Sequence, residues 1–468
     1  MTARSGAAAA WIVFAAAMIA VKAAWLAVDA DPAVFLGDSE SYLATALEGW
    51  IPPDRSFVYG YILRPFAVWT GSLAPVVYFQ SLLGAGSGII LAWLLIRYFA
   101  VPMWLGFPVA VLWGATEPLA LLLERYVLTE TCALFVLGVV MAVGCRYLAN
   151  GRFRWLILAN VLSTVLVSLR TVYIPVSIAL AIILPLLVRG PAQAVQGQSA
   201  SGRRSTSMLI GLSLVTVFGL HQLYKVAFGQ LAGRPPAYQT ADGLFLLAAW
   251  SPLVIADDFP DRDSGRSVMR DASPCAGQTR EAARWQSGCL IDTLVRQSGS
   301  DYVANKTART TAMNIAKRVP LDVIRLTIGT WRDYLSPDRL RAAAHQDRPN
   351  GPLPARAANL LRERFDLTVE PSQDATTSTD RWFFSSTAWY VFLATSPLVA
   401  LAALGFAQPR IRRPLLLVAA VIIVLLGATV AASLRVSPRF LHPVAWLVMI
   451  PVAVLVSSFR GRRRSFAD

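Results

Sequence analysis

Long apolar runs, separated by short polar breaks, dominate this chain. A bilayer core needs about 20 mainly apolar residues per helix. Ten runs approach that length: 7–28, 74–96, 101–120, 127–145, 155–172, 173–188, 208–228, 383–405, 414–432 and 441–458. Each is predicted to be a membrane-spanning helix. The first is Ala-rich after Arg4 and lacks a small-residue cleavage pattern, so it reads as a retained span and not a removed signal. Only the short break Arg170–Pro175 separates spans five and six. Two longer polar segments, 29–73 and 229–382, interrupt the runs. The prediction is an all-α polytopic membrane protein with an N-terminal transmembrane module of about seven spans (1–228). An extracytoplasmic, mainly helical domain (229–382) follows, then a module of about three spans with a basic tail (383–468). The Gln/Ser/Gly/Arg stretch Gly190–Ser207 reads as a flexible linker. No internal repeat is evident by eye.

Composition agrees with this picture: 55% of residues are apolar, 15% are charged and the mean hydropathy is +0.51. The net charge is nevertheless +15. So apolar a chain lacks the charged surface a nucleic-acid binder needs to present its cations, and no nucleic-acid partner is expected. The charge instead sets orientation, because cytoplasmic loops collect Lys and Arg. With the N-terminus in the cytosol, the inner segments carry Arg4, Arg97, Arg146, Arg152, Arg154, Arg189, Arg203, Arg204, Arg410, Arg412, Arg413, Arg460, Arg462, Arg463 and Arg464. Against these 15 basic residues stands one acid, Asp468, so about +14 of the charge lies on that side. An even number of spans returns the C-terminus to the cytosol. The expected location is the inner (plasma) membrane, with any site facing the periplasm or exterior.

The outer segments hold the candidate chemistry. The first, 29–73, is acidic: Asp29, Asp31, Asp38, Glu40, Glu48 and Asp54 against Arg55 and Arg64. Gly37 permits a turn, Asp38 can cap the following helix, and Tyr42, Leu43, Ala46 and Leu47 give that helix an apolar stripe on the membrane. A second polar cluster is Glu124-Arg125-Tyr126-Val127-Leu128-Thr129-Glu130-Thr131. Its plainer explanation is a loop ion pair with a helix cap at Thr129. Cations expected at the same level are Lys22, Arg64, Arg170, Lys225, Arg435 and Arg439; singly, each is an interfacial anchor. Together with the acids they suit a phosphate-linked substrate. Cys275 and Cys289 flank a short polar stretch where an oxidising compartment would let them pair; two free buried thiols is the alternative. Cys132, Cys145 and three scattered histidines (His221, His345, His442) offer no metal-site spacing.

At these positions the chain resembles the GT-C superfamily of polyprenyl-phosphate-sugar-dependent glycosyltransferases. Gly37-Asp38-Ser39-Glu40-Ser41-Tyr42 looks like its acidic first-loop motif, and Tyr61-Ile62-Leu63-Arg64-Pro65-Phe66 like the Pro-containing stretch before the second span. Val77 through Gly84 continues the likeness, as does Leu128-Thr129-Glu130, which is similar to the Leu-Thr-Glu opening the fourth span. Ala316 to Tyr334 is similar to the amphipathic segment before the late spans, and Arg439-Phe440-Leu441-His442-Pro443 to the Arg-Tyr-x-x-Pro before the last span. The protein mannosyltransferase and aminoarabinose transferase branches usually carry adjacent Asp-Glu. Here the acids are Asp38 and Glu40, two positions apart, and Phe440 replaces Tyr.

The resemblance implies an inverting transfer of a sugar from a polyprenyl-phosphate carrier to a hydroxyl of a glycan, lipid or protein. It implies Asp38 as base with Glu40 beside it, Tyr42 and Glu130 as acceptor-orienting groups, and Arg170, Arg439, Lys225 and His442 around the phosphate. No cofactor is firmly expected for a monophosphate donor. A diphosphate carrier would bring in a divalent cation on Asp38, Glu40 and Glu130. The competing expectations are a secondary transporter and a non-catalytic flippase partner for envelope precursors. The strong polar residues lie at span ends and not at a midplane, which disfavours the transporter.

Overall fold

The structure, a computed structural model, describes residues 3–35, 37–188, 206–272, 275, 277, 279–346, 355–368 and 377–465. Arg189, residues 190–205 of the expected linker, Asp468 and the tail side chains from 461 onward fall outside this description, and the last two linker residues, Thr206 and Ser207, are helical. Among the described residues the chain is all α, apart from one isolated parallel bridge between Ala33 and Tyr126.

The N-terminal module holds α1 (Ala3–Val28), α2 (Asp38–Glu48), α3 (Phe57–Leu63), α4 (Ala74–Tyr98), α5 (Met103–Thr116), α6 (Pro118–Leu123), α7 (Glu130–Asn150), α8 (Phe153–Leu169), α9 (Ile174–Val188) and α10 (Thr206–Ala232). The segment expected on the outer side holds α11 (Asp242–Ala249), α12 (Arg262–Asp271), α13 (Arg280–Trp285), α14 (Leu290–Ser298), α15 (Asp301–Arg318), α16 (Pro320–Tyr334), α17 (Pro337–Gln346) and α18 (Ala355–Phe365). The rest is α19 (Ser378–Ser385), α20 (Thr387–Ala394), α21 (Ser396–Phe406), α22 (Pro409–Ala432) and α23 (His442–Ser465).

Seven helical stretches among the described residues are long and apolar enough to cross a bilayer: Gly6–Val28, Ala74–Tyr98, Glu130–Asn150, Thr171–Val188, Thr206–Ala232, Pro409–Ala432 and Pro438–Arg460. The other three expected spans differ in form. The run 383–405 is the pair α20 and α21, bent by 58° at Thr395 just before Pro397. The run 101–120 breaks at Glu117, which is extended and caps α6 by accepting from the Ala120 amide, so α5 is only 14 residues long. Helix α8 reaches 17 residues before Arg170 turns extended. A proline, a buried acid and a half-buried arginine end or bend these segments.

Among the described residues two large cores and one small cluster (Phe57, Tyr224 and Phe228) follow from the apolar pattern. The larger runs through the apolar helices, with Met18, Leu91, Leu95, Trp113, Leu137, Met141 and Trp446 fully or nearly enclosed. The first part of the segment between α10 and α19 has its own core around Leu247, Phe259, Val268, Ile291, Leu294 and Ile315, whereas Tyr334, Leu340 and Leu361 further along join the larger one. That first part is tied down by the Trp250 indole, which donates to the Ala431 carbonyl of α22 at 3.0 Å. Cys275 and Cys289 are joined by a disulfide that brackets α13. Cys132 and Cys145 are buried thiols.

Candidate functional site

The site begins with a short backbone pairing. The Ala33 amide donates to Arg125 O at 2.9 Å, and the Val127 amide donates to Ala33 O at 3.0 Å. Ser39 Oγ accepts from the Phe35 amide (2.8 Å) and donates to Val127 O (3.0 Å). These bonds fix the start of α2 against the segment entering α7. The chain turns into α2 at Gly37, the helix's N-cap, with φ of 74° and no capping side chain. Asp38 is therefore not the cap expected from the sequence. It is the first helical residue, with its carboxylate freed to face inward.

Asp38 and Glu130, far apart in sequence, meet on one guanidinium. Arg439, at the foot of α23, donates from one terminal nitrogen to Asp38 Oδ2 at 2.7 Å and from Nε to Glu130 Oε1. Arg170, extended between α8 and α9, reaches the same Glu130 oxygen at 2.9 Å. Arg55 pairs with Asp38 Oδ1 at 2.5 Å and with Asp54 at 3.1 Å. The Arg439 guanidinium also lies 4.5 Å from the centre of the Phe35 ring. Three arginines and three carboxylates thus form one network, and the Glu130 side chain is completely buried. Burial raises the pKa of Asp38, but Arg55 and then Arg439 outweigh it and hold the carboxyl below its ordinary range. Arg55 loses to burial and gains more from Asp38 and Asp54, so its pKa rises.

The remaining candidates divide. Tyr42, one turn beyond Asp38 on α2, is buried edge-on against Tyr59 at 5.0 Å. Burial and the Asp38 charge push its phenol up. His442, three residues after Arg439, is buried, and its Nε2 has no hydrogen-bond partner among the described residues. Glu40 is half-buried and forms no ion pair among the described residues. Two positions along a helix lie about 200° apart, so α2 turns Glu40 away from the face that carries Asp38. Lys225 is not part of the network either. It sits on α10, 4.4 Å from the centre of the Tyr238 ring, whose hydroxyl bonds to His221. Arg55 joins the network although it was not among the expected cations; nothing in the acidic loop sets it apart from Arg64.

The neighbouring cluster also pairs differently from its sequence. Glu124 does not pair with Arg125. Lys22 of α1 donates to Glu124 Oε1 at 2.6 Å, with both side chains buried. Arg125 pairs with Asp29 at 2.7 Å. Thr129 is the N-cap residue of α7, but its hydroxyl makes no capping bond and lies instead 3.3 Å from Glu130 Oε2. Gln80 secures the loop, donating to the carbonyls of Glu124 (3.0 Å) and Tyr126 (2.9 Å). Among the described residues no group of three or more His, Cys, Asp or Glu side chains is arranged to hold a metal ion.

Comparison with known protein families, curated proteins and solved structures finds no match to this chain.

Proposed function

We propose that this chain is an integral membrane glycosyltransferase of the GT-C type. It would move a sugar, with inversion, from a polyprenyl-phosphate carrier to a hydroxyl of a glycan, lipid or protein outside the cytosol. One observation carries the reading: Arg439 bridges Asp38 and Glu130. These are the residues singled out in the first-loop, fourth-span and last-span motifs, and they meet in one buried network. In this reading α5, α8 and the bent α20–α21 pair complete ten spans. Both termini then lie in the cytosol, and the network faces the outer side of the inner membrane.

The chemistry needs two things from the protein. The breaking sugar–phosphate bond leaves charge on the phosphate, which preplaced guanidiniums stabilise. The attacking hydroxyl must lose its proton to a base. In the resting network both Asp38 oxygens are occupied by Arg55 and Arg439. An arriving phosphodiester competes for Arg439 and Arg170, and this exchange releases an Asp38 oxygen for the acceptor hydroxyl. Asp38 then takes the hydroxyl proton as the oxygen attacks the anomeric carbon. The bond from that carbon to the phosphate oxygen breaks, and its electron pair leaves with the carrier phosphate. The orphan Nε2 of His442 is a further partner for a phosphate oxygen. A divalent cation for a diphosphate carrier fits this donor set poorly, since Glu40 faces elsewhere and arginines hold both Asp38 and Glu130.

The test is to incubate the purified protein with a panel of polyprenyl-phosphate sugars and candidate acceptors, with products read by mass spectrometry. The reading expects a glycosylated acceptor together with released polyprenyl phosphate. Solute accumulation by proteoliposomes with no product across the panel would replace it with a transporter.

A further inference from the structure

A cavity of about 530 Å³ opens on the outer segment between α13, α16 and the start of α17. Its walls carry Arg280, Asp322, Arg325, Thr330, Asp333 and Arg339. Two of the arginines are neutralised: Arg325 pairs with Asp322 at 2.7 Å and Arg339 with Asp333 at 3.1 Å. Arg280 forms no ion pair among the described residues. Its guanidinium donates to the neutral Thr330 hydroxyl at 2.9 Å. Burial lowers its pKa, and Asp333, already paired with Arg339, offsets only part of that cost. Three guanidiniums against two carboxylates leave one positive charge on the wall. The occupant that balances it carries one negative charge, and the flanking carboxylates and Thr330 can bond to hydroxyls around it. The size suits a small polar group, within the usual range for ligand pockets.

The same helix says where that group comes from. On α16 the cavity face is set by residues 322, 325, 326, 329, 330 and 333. Adjoining it round the helix is an exposed apolar stripe, with Leu321 65%, Ile324 53% and Ile328 45% exposed. Helix α16 also packs on α22, one of the membrane-spanning helices, and Trp331 donates its indole N–H to Ala394 O at 3.1 Å. An amphipathic helix fixed to the end of a span, with one face apolar and bare, belongs in the membrane interface. The cavity then opens at headgroup level.

We propose that this cavity binds the headgroup of an anionic phospholipid, a phosphodiester bearing a polyol, with Arg280 recognising the phosphate and Leu321, Ile324 and Ile328 seated among the acyl chains. The site does not depend on the glycosyltransferase reading. The disulfide between Cys275 and Cys289 brackets α13 and holds Arg280 in place. The next turn of α13 carries Arg284, whose guanidinium lies over Phe245 and Trp285 and is close enough to Asp54 and Arg55 to feel both charges. Helix α13 therefore links the lipid cavity to the arginine that holds Asp38.

The test uses the full-length protein in detergent, with lipid retention read by native mass spectrometry. The probes are phosphatidylglycerol and phosphatidylcholine, with soluble glycerophosphoglycerol as competitor. Both lipids offer Arg280 a phosphodiester, but the choline cation cancels the charge that balances the wall and cannot bond to its carboxylates as a glycerol does. Retained phosphatidylglycerol should therefore exceed phosphatidylcholine about tenfold. Arg280→Gln leaves a polar side chain on the wall but removes the charge and should abolish the preference. Gly329→Leu should do the same by filling the cavity, because a Cβ there meets nothing within 4 Å and the fold is spared. Equal retention of the two lipids would overturn the proposal, as would a preference that survives both variants. Full displacement by the soluble competitor at matched concentration would overturn the assignment to a membrane lipid.

Discussion

Arg439→Gln is the sharpest probe of the buried network. The substitution deletes two charge-assisted contacts, to Asp38 at 2.7 Å and to Glu130, and one cation–ring contact with Phe35. Stripping a buried ion of its only partner costs about 3–5 kcal/mol. Here neither carboxylate is left alone, because Arg55 still holds Asp38 and Arg170 still holds Glu130. Two hydrogen bonds to charged groups, each of about 1.5–3 kcal/mol, partly relieved by those remaining arginines, put the expected loss near 3 kcal/mol. Arg439→Lys should recover only part of it, since a point ammonium cannot reproduce the two-pronged geometry. The assay is reversible unfolding in mixed micelles, followed by tryptophan fluorescence. Pairing Arg439→Gln with Glu130→Gln in a double-mutant cycle should show a coupling of about 1–3 kcal/mol. A loss below about 0.5 kcal/mol, or additive effects within error, would refute the claim that Arg439 is the shared partner.

Three further outcomes follow from the same geometry. A Cβ on Gly84 would overlap Glu124 Oε1, the oxygen that accepts the Lys22 hydrogen bond. Gly84→Ala should therefore cost about 3 kcal/mol by splitting a buried pair, and an unchanged melting curve would contradict that packing. Asp38 is held below its ordinary pKa, so its ion pairs stabilise the fold above the unfolded pKa and are lost as pH falls through the folded one. The stability gap between the protein and Asp38→Asn should stay flat from about pH 8 to 5 and shrink only below about pH 4; shrinkage between pH 7 and 5 would reverse the sign of the shift. Opening the Cys275–Cys289 link, which closes a sequence separation of 14, should cost the outer segment about 3 kcal/mol. Hydrogen exchange should rise around α13 and α14 while α4 and α7 stay protected, and a uniform rise would show that the outer segment is not a separate folding unit.

What the chain discloses before folding is set by range. Apolar runs report membrane-length helices directly, whether their side chains face other helices or lie exposed as in Gly6–Val28, so the seven long helices could be read to within about five residues. Breaks depend on single residues whose effect is local but not apolar: Glu117 stops α5 and Arg170 stops α8. Ion-pair partners depend on tertiary contact. Glu124 takes Lys22, 102 positions away, and Arg125 takes Asp29, because the folded loop lies against the end of α1, which supplies a partner to each. The helical phase that excludes Glu40 becomes known only once α2 is seen to begin at Asp38. Arg55 could not be chosen over Arg64 from the sequence, since both follow the same acidic stretch. Arg64 instead donates to the Ala46 carbonyl at 2.8 Å.

The central claim is that Asp38, released from its arginines, accepts the proton of an acceptor hydroxyl. The direct measurement is the initial rate of sugar transfer from a polyprenyl-phosphate donor by the protein and by Asp38→Asn. Melting curves on both samples keep a folding defect separate from a chemical one. Asparagine is nearly the same size but cannot take the proton, so the rate should fall by about a hundredfold or more, in line with positioned general bases. Transfer by a folded Asp38→Asn at the unmodified rate would contradict the account.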